Sequence, residues 1–216
     1  MIDLAGARRV LVVAPHSDDE TIAALDLITA LLRSRVDVAL VVVTDGAASH
    51  RRSARWPPAR LVAERRRETL RAMRRVGLPH DRVRFLGFPD GGLDSLAPAR
   101  WRSLVLALAR GPLPDAVIVP DRDDAHPDHR DVARACRAAW PARVRRLAYT
   151  VWPAAGAAPV LPSRRVALPA NAARKRATLR LYRTQTGLIR DDPDGFALTP
   201  AQIREKCGPV ERFVRG

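Results

Sequence analysis

His16, Asp18, Asp19 and Glu20 stand together in the stretch VLVVAPHSDDET, and His126, Asp128 and His129 stand together in DRDDAHPDH. The chain has five histidines, so three of them fall in these two short clusters. Imidazole nitrogen and carboxylate oxygen are ligands that zinc accepts, and a catalytic zinc keeps three of them and leaves a fourth position for water. His16 and Asp19 are three apart where an apolar run turns polar, and a tight strand-to-helix turn can aim both at one point. His126 and His129 are three apart across the first turn of a predicted helix, hence on one face. A His2Asp site built from His16, Asp19 and one histidine of the later pair leaves Asp18 and the other histidine off the metal. That division suits a hydrolase, which needs ligands for its ion and a separate base for its water. Taken singly, each group has a plainer use: an Asp at a helix start is commonly a cap, and Asp45 and Asp90, each followed by glycine, are commonly turn residues. Taken jointly they exceed that use, because caps need neither two histidines nor an acid at every strand end.

The elements that must position these groups alternate along the first two thirds of the chain. Residues 8–14, 36–44, 82–88, 115–120 and 144–152 read as short strands, the first β-branched and mostly apolar in the way of a strand buried on both faces and the second buried as well. Residues 18–34, 59–76, 98–110 and 127–140 read as helices, the second ended by Gly77 and the last opened by Pro127. The alternation predicts a Rossmann-like α/β three-layer sandwich with a mostly parallel sheet. In such sheets ligands sit beyond the carboxyl ends of the strands. Four strands end there in polar clusters: His16 to Glu20, Thr44-Asp45-Gly46, Pro89-Asp90-Gly91, and Asp121 to His129. After residue 152 the texture changes to a loop over 154–162, an edge strand over 164–168, a basic helix over 170–182, and a loop-rich tail with a short helix at 200–206. The expected organisation is one domain, 1–216, with an α/β core over 1–152 and a short irregular C-terminal appendage over 153–216.

Composition narrows the classes. At 216 residues, one core burying roughly 70% of the unfolded surface suffices. No apolar run approaches the ~20 residues of a membrane span. The opening MIDLAGARRV lacks an apolar h-region, so no secretory signal is expected. Cys136 and Cys207 are far apart and form no CxxC pair, which argues against a disulfide framework or a thiolate zinc site and makes a cytoplasmic location the expectation. The net charge of +15 could attract a polyanion. However, the positive charge is almost all arginine and is spread along the chain, with Lys175 and Lys206 the only lysines, so it reads as compositional bias. A nucleic-acid partner is therefore not expected, and no aromatic stacking platform is evident. No glycine-rich phosphate loop follows the first strand, which sets nucleotide binding aside.

PHSDDE followed by HPDH resembles the two motifs of the PIG-L/LmbE-like zinc-dependent N-deacetylases, usually written [AP]HPDDE and HxDH. The family's R-x-x-E-x-x-x-A helix is matched by Arg65, Glu68 and Ala72, its DG loop by Asp90-Gly91, and a late K…A…Y…Q helix, more loosely, by KRATLRLYRTQ. Ser17 stands where the family has proline, and Ala23, Ala24 and Asp26 stand where it often has glycines. The resemblance implies zinc held by His16, Asp19 and His129, with iron(II) or cobalt(II) able to use the same ligands. It implies Asp18 as general base, His126 as oxyanion stabiliser or proton donor, and Asp128 as the residue orienting His126. Arg65 and Asp90 would contact substrate, although Arg65 could instead pair with Glu68. Glu20 is expected at the helix start or on an arginine rather than on the metal. The implied reaction is hydrolysis of an N-acyl group, acetyl in the first instance, from a small amino sugar or glycoconjugate by a metal-activated water. The alternatives are a metal-dependent phosphoesterase, which would hold two metals, and a basic nucleic-acid-binding module without catalysis.

Overall fold

A computed structural model describes residues 4–156 and 161–216. Residues 1–3 of the opening segment and 157–160 of the loop expected over 154–162 lie outside the described residues.

Seven strands form one sheet in the order β3-β2-β1-β4-β5-β7-β6. The first five, β1 (Arg9–Ala14), β2 (Asp37–Thr44), β3 (Val83–Phe88), β4 (Ala116–Pro120) and β5 (Arg145–Tyr149), pair in parallel. β1 lies at the centre and alternates between two cores. Val10 and Val12 pack with Ile22, Leu25 and Ile28 of α1 (Asp19–Arg33). Leu11 and Val13 pack with Leu104 and Leu108 of α3 (Pro98–Ala109) and Val132 of α4 (Pro127–Ala139). Because both faces of β1 are covered, it can be an unbroken apolar run. The expected three layers follow, with α2 (Pro58–Arg75) contributing Ala72 and Met73 to the α1 side. Cys136 and Cys207 are free buried thiols belonging to opposite cores. No helix among the described residues is long and apolar enough to cross a membrane.

β1 has β2 on one side and β4 on the other, so the strand order reverses there. Connections leaving such a switch point diverge and open a crevice at the strand ends. The two histidine clusters are the segments that leave β1 and β4.

The tail departs from expectation. β6 (Arg165–Pro169) is the edge strand, but the final residues form β7 (Val210–Arg215), which runs antiparallel between β5 and β6. The segment read as an irregular appendage thus supplies two strands of the main sheet. β7 gives no alternating apolar signal because its inward residues are Glu211 and Phe213. Glu211 faces inward to serve a break in α1 at Ala24, where φ is −139° and ψ is 16°. Its carboxylate accepts the N–H groups of Asp26 and Leu27, both at 2.9 Å, and the Lys175 ammonium at 2.9 Å. Lys175 also donates to Ile22 O at 2.8 Å. A buried ion pair therefore satisfies backbone groups that the broken helix leaves open. The predicted basic helix is shorter than expected, with α5 spanning Ala172–Leu179, and α6 covers Pro200–Lys206.

Candidate active site

The turn from β1 into α1 is unusually sharp. Asp18 takes φ 113° and ψ −26°, a region that costs a non-glycine residue about 1–3 kcal/mol and that clusters at functional sites. Asp18 occupies the N-cap position, yet its side chain makes no capping bond. Neighbouring groups hold the turn instead. Glu20 accepts the Asp18 N–H at 3.2 Å, Tyr182 donates its hydroxyl to Glu20, and Thr21 Oγ1 lies 3.1 Å from the same hydroxyl. Glu20 therefore serves the helix start, as expected, through a partner 162 residues away. Burial, against the Tyr182 hydrogen bond, pushes its carboxyl up to about 7.

His16 Nδ1 and His129 Nε2 both face Asp19 Oδ2, at 3.3 and 3.2 Å. Ligands about 2.0–2.1 Å from zinc at tetrahedral angles stand about 3.3 Å apart. The two separations match two edges of such a tetrahedron, with Asp19 Oδ2 as their shared corner. His129 is fully buried, and neither of its ring nitrogens meets hydrogen-bond geometry despite nearby carboxylates. His129 Nε2 and Asp19 Oδ2, which approach to 3.2 Å without a hydrogen bond, suit a shared cation. His16, His126 and His129 also offer one ligand atom each within 4.8 Å of one another. The donor set fits a divalent metal.

An outer layer of acids fixes the imidazoles. Asp124 Oδ2 lies 3.2 Å from His129 Nδ1 and accepts the N–H groups of Val151 and Trp152 at 2.8 and 3.0 Å, while its Oδ1 accepts the His126 N–H at 2.9 Å. A carboxylate behind a ligating histidine sets its tautomer and raises its basicity. On the other ring, His16 Nε2 faces Asp128 Oδ2 at 3.1 Å and Asp90 Oδ1 at 3.2 Å. Asp128 Oδ2 is held by the Gly91 N–H at 2.8 Å, and Asp90 Oδ2 by the Ala48 N–H at 3.0 Å. His16, Asp90 and Asp128 thereby form a second group of close N and O atoms that shares His16 with the first.

The field follows from this packing. Burial alone would lower both His16 and His129, but the carboxylates outweigh it. Asp128, Asp19 and Asp90 hold His16 well above the usual imidazole value, and Asp19 and Asp124 raise His129 to about 9. Although burial opposes it, the His129 and His16 contacts hold Asp19 well below the carboxylate range, and His16 takes Asp90 down to about 2. Asp18 behaves oppositely, its carboxyl raised well above the usual value first by burial and then by the charge of Asp19. His126 is lowered by burial and by the neighbouring imidazoles.

Two expected side-chain pairings, Asp128 with His126 and Arg65 with Glu68, are not formed. Asp128 contacts His16 rather than orienting His126 with its carboxylate; only its backbone N–H reaches His126 Nδ1, at 3.2 Å. Helix residues two apart do not face each other, so the carboxylate and the His126 ring diverge. Arg65 is buried and donates to Gly46 O at 3.2 Å and Ser17 O at 3.0 Å, clamping the loops after β2 and β1. Glu68, its expected alternative partner, binds Thr184 N and Oγ1 instead, at 2.9 and 2.6 Å. Arg65 and Asp90 both still line the cavity that holds His16, Asp18, Asp19 and His126, a space of about 450 Å³. Sequence reasoning missed Asp124, the Glu20–Tyr182 pair, and the cavity residues Trp152 and Phe196.

The model of the PIG-L family, GlcNAc-PI de-N-acetylase, matches residues 11–140. No curated protein sequence matches the chain. Among solved structures, the N,N'-diacetylchitobiose deacetylase of Pyrococcus horikoshii is 22% identical, with 99% of this chain and 85% of that one covered and a TM-score of 0.73. The conserved protein TT1542 of Thermus thermophilus is 27% identical, with 95% and 93% covered and a TM-score of 0.68. A deacetylase of the teicoplanin biosynthesis pathway is 18% identical, with 96% and 98% covered and a TM-score of 0.67. The structural likenesses bear on the fold. The family match runs from within β1 to just past α4, takes in both histidine motifs and covers more than half the sequence: this chain belongs to the PIG-L family of de-N-acetylases.

Proposed function

We propose that the protein is a zinc-dependent hydrolase that removes an N-acyl group, acetyl in the first instance, from a small amino sugar or glycoconjugate. The observation that carries this reading is that His16 Nδ1 and the buried His129 Nε2 both face Asp19 Oδ2, at 3.3 and 3.2 Å, beside a cavity lined by His16, Asp19, Asp18 and His126. These three residues would hold zinc, which there would polarise the acyl carbonyl and make hydroxide available near neutral pH.

The remaining roles belong to the chain. Asp18 takes the proton of the attacking water. Its raised pKa suits a base that must hold that proton and later release it to the departing amine. The strained turn keeps this carboxylate from relaxing into a helix cap. His126 Nδ1 accepts a backbone N–H, so in the neutral ring the hydrogen sits on Nε2. A lowered pKa and that tautomer support His126 as a neutral donor to the developing oxyanion, an interaction typically worth about 3–4 kcal/mol. Asp124, Asp90 and Asp128 fix the ligand rings. Arg65 places positive charge on the cavity wall, where it can meet an oxygen of the substrate.

Metal analysis of the purified protein, together with acetate release from a panel of N-acetylated sugars, tests the proposal. One metal per chain and release abolished by Asp18→Asn are expected. Two metals with hydrolysis of a phosphate ester would favour the phosphoesterase reading, for which the His16–Asp90–Asp128 group would be the second site. Salt-sensitive nucleic-acid binding that survives His16→Ala, without hydrolysis, would favour the binding-module reading.

A further inference from the structure

The cavity lining includes two aromatic rings beside the acids. Trp152 and Phe196 meet edge-to-face, with ring centroids 6.0 Å apart and planes at 87°. Both lie outside the segment matched by the family model.

Each ring is held in place by the protein. The Trp152 N–H donates to Asp124 Oδ2 at 3.0 Å and its carbonyl accepts from Ala125 at 2.7 Å, so its backbone is fastened to the loop that carries His126 and His129. The Lys206 ammonium lies 3.7 Å from the indole centroid and donates to Val151 O at 2.7 Å, which pins the ring from one side. Phe196 is carried by the tail. Its N–H donates to Ser49 O at 2.8 Å, and Asp191 and Asp192 fasten the same tail segment to Ser53 and to the N–H groups of Arg55 and Arg52. Gly195 permits this approach, because a Cβ there would collide with the His50 ring. Phe196 nevertheless remains 36% exposed, a large apolar side chain facing solvent at the cavity.

A preorganised aromatic corner beside polar groups calls for an amphipathic ligand. We infer that Trp152 and Phe196 bind the pyranose ring of the substrate, its C–H face against the aromatic corner and its hydroxyl edge toward Gln185 and Asp194 of the same cavity. Aromatic faces carry negative quadrupole charge and attract weakly positive C–H groups. A purely aliphatic chain would instead desolvate Asp90 and Asp194 with no hydrogen bond in return. The cavity, at about 450 Å³, has the size of a small-molecule site. The choice of an N-acylated sugar rests on the proposed deacylase reading, whereas binding of a pyranose does not.

The experiment has two arms. In the first, acetate release from N-acetylglucosamine is measured for wild type, Trp152→Ala, Trp152→Phe and Phe196→Ala. The alanine variants should raise KM about tenfold or more while kcat and metal content change less than about threefold, and Trp152→Phe should recover most of the loss. In the second, binding of methyl glucoside, which has no acyl group, is followed by saturation-transfer NMR and should weaken in both alanine variants. Unchanged methyl glucoside binding in Phe196→Ala, whose side chain is exposed enough to be removed without unfolding, would overturn the inference even if acetate is still released. Loss of octanoate release from N-octanoylethanolamine in these variants, with sugar binding intact, would also overturn it and assign the corner to an acyl chain. Failure of wild type to hydrolyse any N-acetyl compound, with Trp152-dependent glucoside binding, would sink the deacylase reading and leave this one standing.

Discussion

Removing the Asp124 carboxylate should uncouple metal affinity from the identity of the metal ligands. The side chain is fully buried and serves four partners: His129 Nδ1 and the N–H groups of His126, Val151 and Trp152. Asp124→Ala leaves three backbone donors without acceptors. Each such orphan costs about 1–3 kcal/mol. Because His126 and Trp152 border the cavity, water can relieve part of this, and a total of about 3–5 kcal/mol is expected. For a chain of this size that lowers Tm by about 6–20 °C, at roughly 2–4 °C per kcal/mol. His129 also loses the carboxylate that faces its Nδ1 at 3.2 Å, and loss of such a partner behind a metal-holding histidine weakens metal binding about 10–100-fold. Asp124→Asn should be milder, because an amide turned with its oxygen toward Val151, Trp152 and His129 abandons only the His126 bond. The assay is zinc competition against a chromophoric chelator, at a temperature where circular dichroism shows each variant folded. Wild-type zinc affinity in folded Asp124→Ala would refute the reasoning and reduce Asp124 to a staple between the loop and β5.

Asp18→Asn should lower kcat about 10²–10⁴-fold with zinc content unchanged, read by steady-state kinetics and metal analysis; asparagine tolerates positive φ, so the turn should survive. Tyr182→Phe removes the hydroxyl that Glu20 accepts, and kcat should fall several-fold while KM holds, with loss of metal rather than of kcat counting against a role in holding Asp18. Lys175→Met strands Glu211 as a buried, uncompensated charge and should cost about 3–5 kcal/mol by urea unfolding, an effect that disappears if the pair is dispensable to the break in α1.

What was legible in the sequence is what local pattern encodes. Parallel strands buried on both faces are near-continuous apolar runs, so β1, β2 and β4 could be read within a residue or two of their ends. The two histidine motifs could be read because three of the five histidines sit where such runs stop. The groups that orient the site could not, for a common reason: their partners are backbone N–H groups or hydroxyls distant in sequence. Asp124 is one acid among several in DRDD until Val151 and Trp152 are folded over it, 27 and 28 residues on. Glu20 reads as a first-turn acid until Tyr182 arrives, and Glu211 reads as a surface residue until the break in α1 turns it inward. Asp128 was paired with its sequence neighbour His126 because proximity along the chain was the only cue, whereas at a helix start the ring across the crevice is the nearer one.

These partners mostly come from the part of the chain beyond β5, and that changes how the tail should be understood. Tyr182 steadies the turn of the proposed base, Thr184 receives Glu68 of α2, Lys175 and Glu211 repair α1, and Phe196 lines the cavity. The residues proposed to carry chemistry lie in the segment matched by the family model, while much of what fixes their angles lies outside it. A site arranged this way can keep its reaction and change its substrate by altering the tail, because Phe196 reaches the cavity from a loop, whereas Lys175 and Glu211 are fixed by the broken helix they complete. Variation in the tail should therefore be tolerated at the cavity rim and refused at the buried ion pair, although both lie beyond β5.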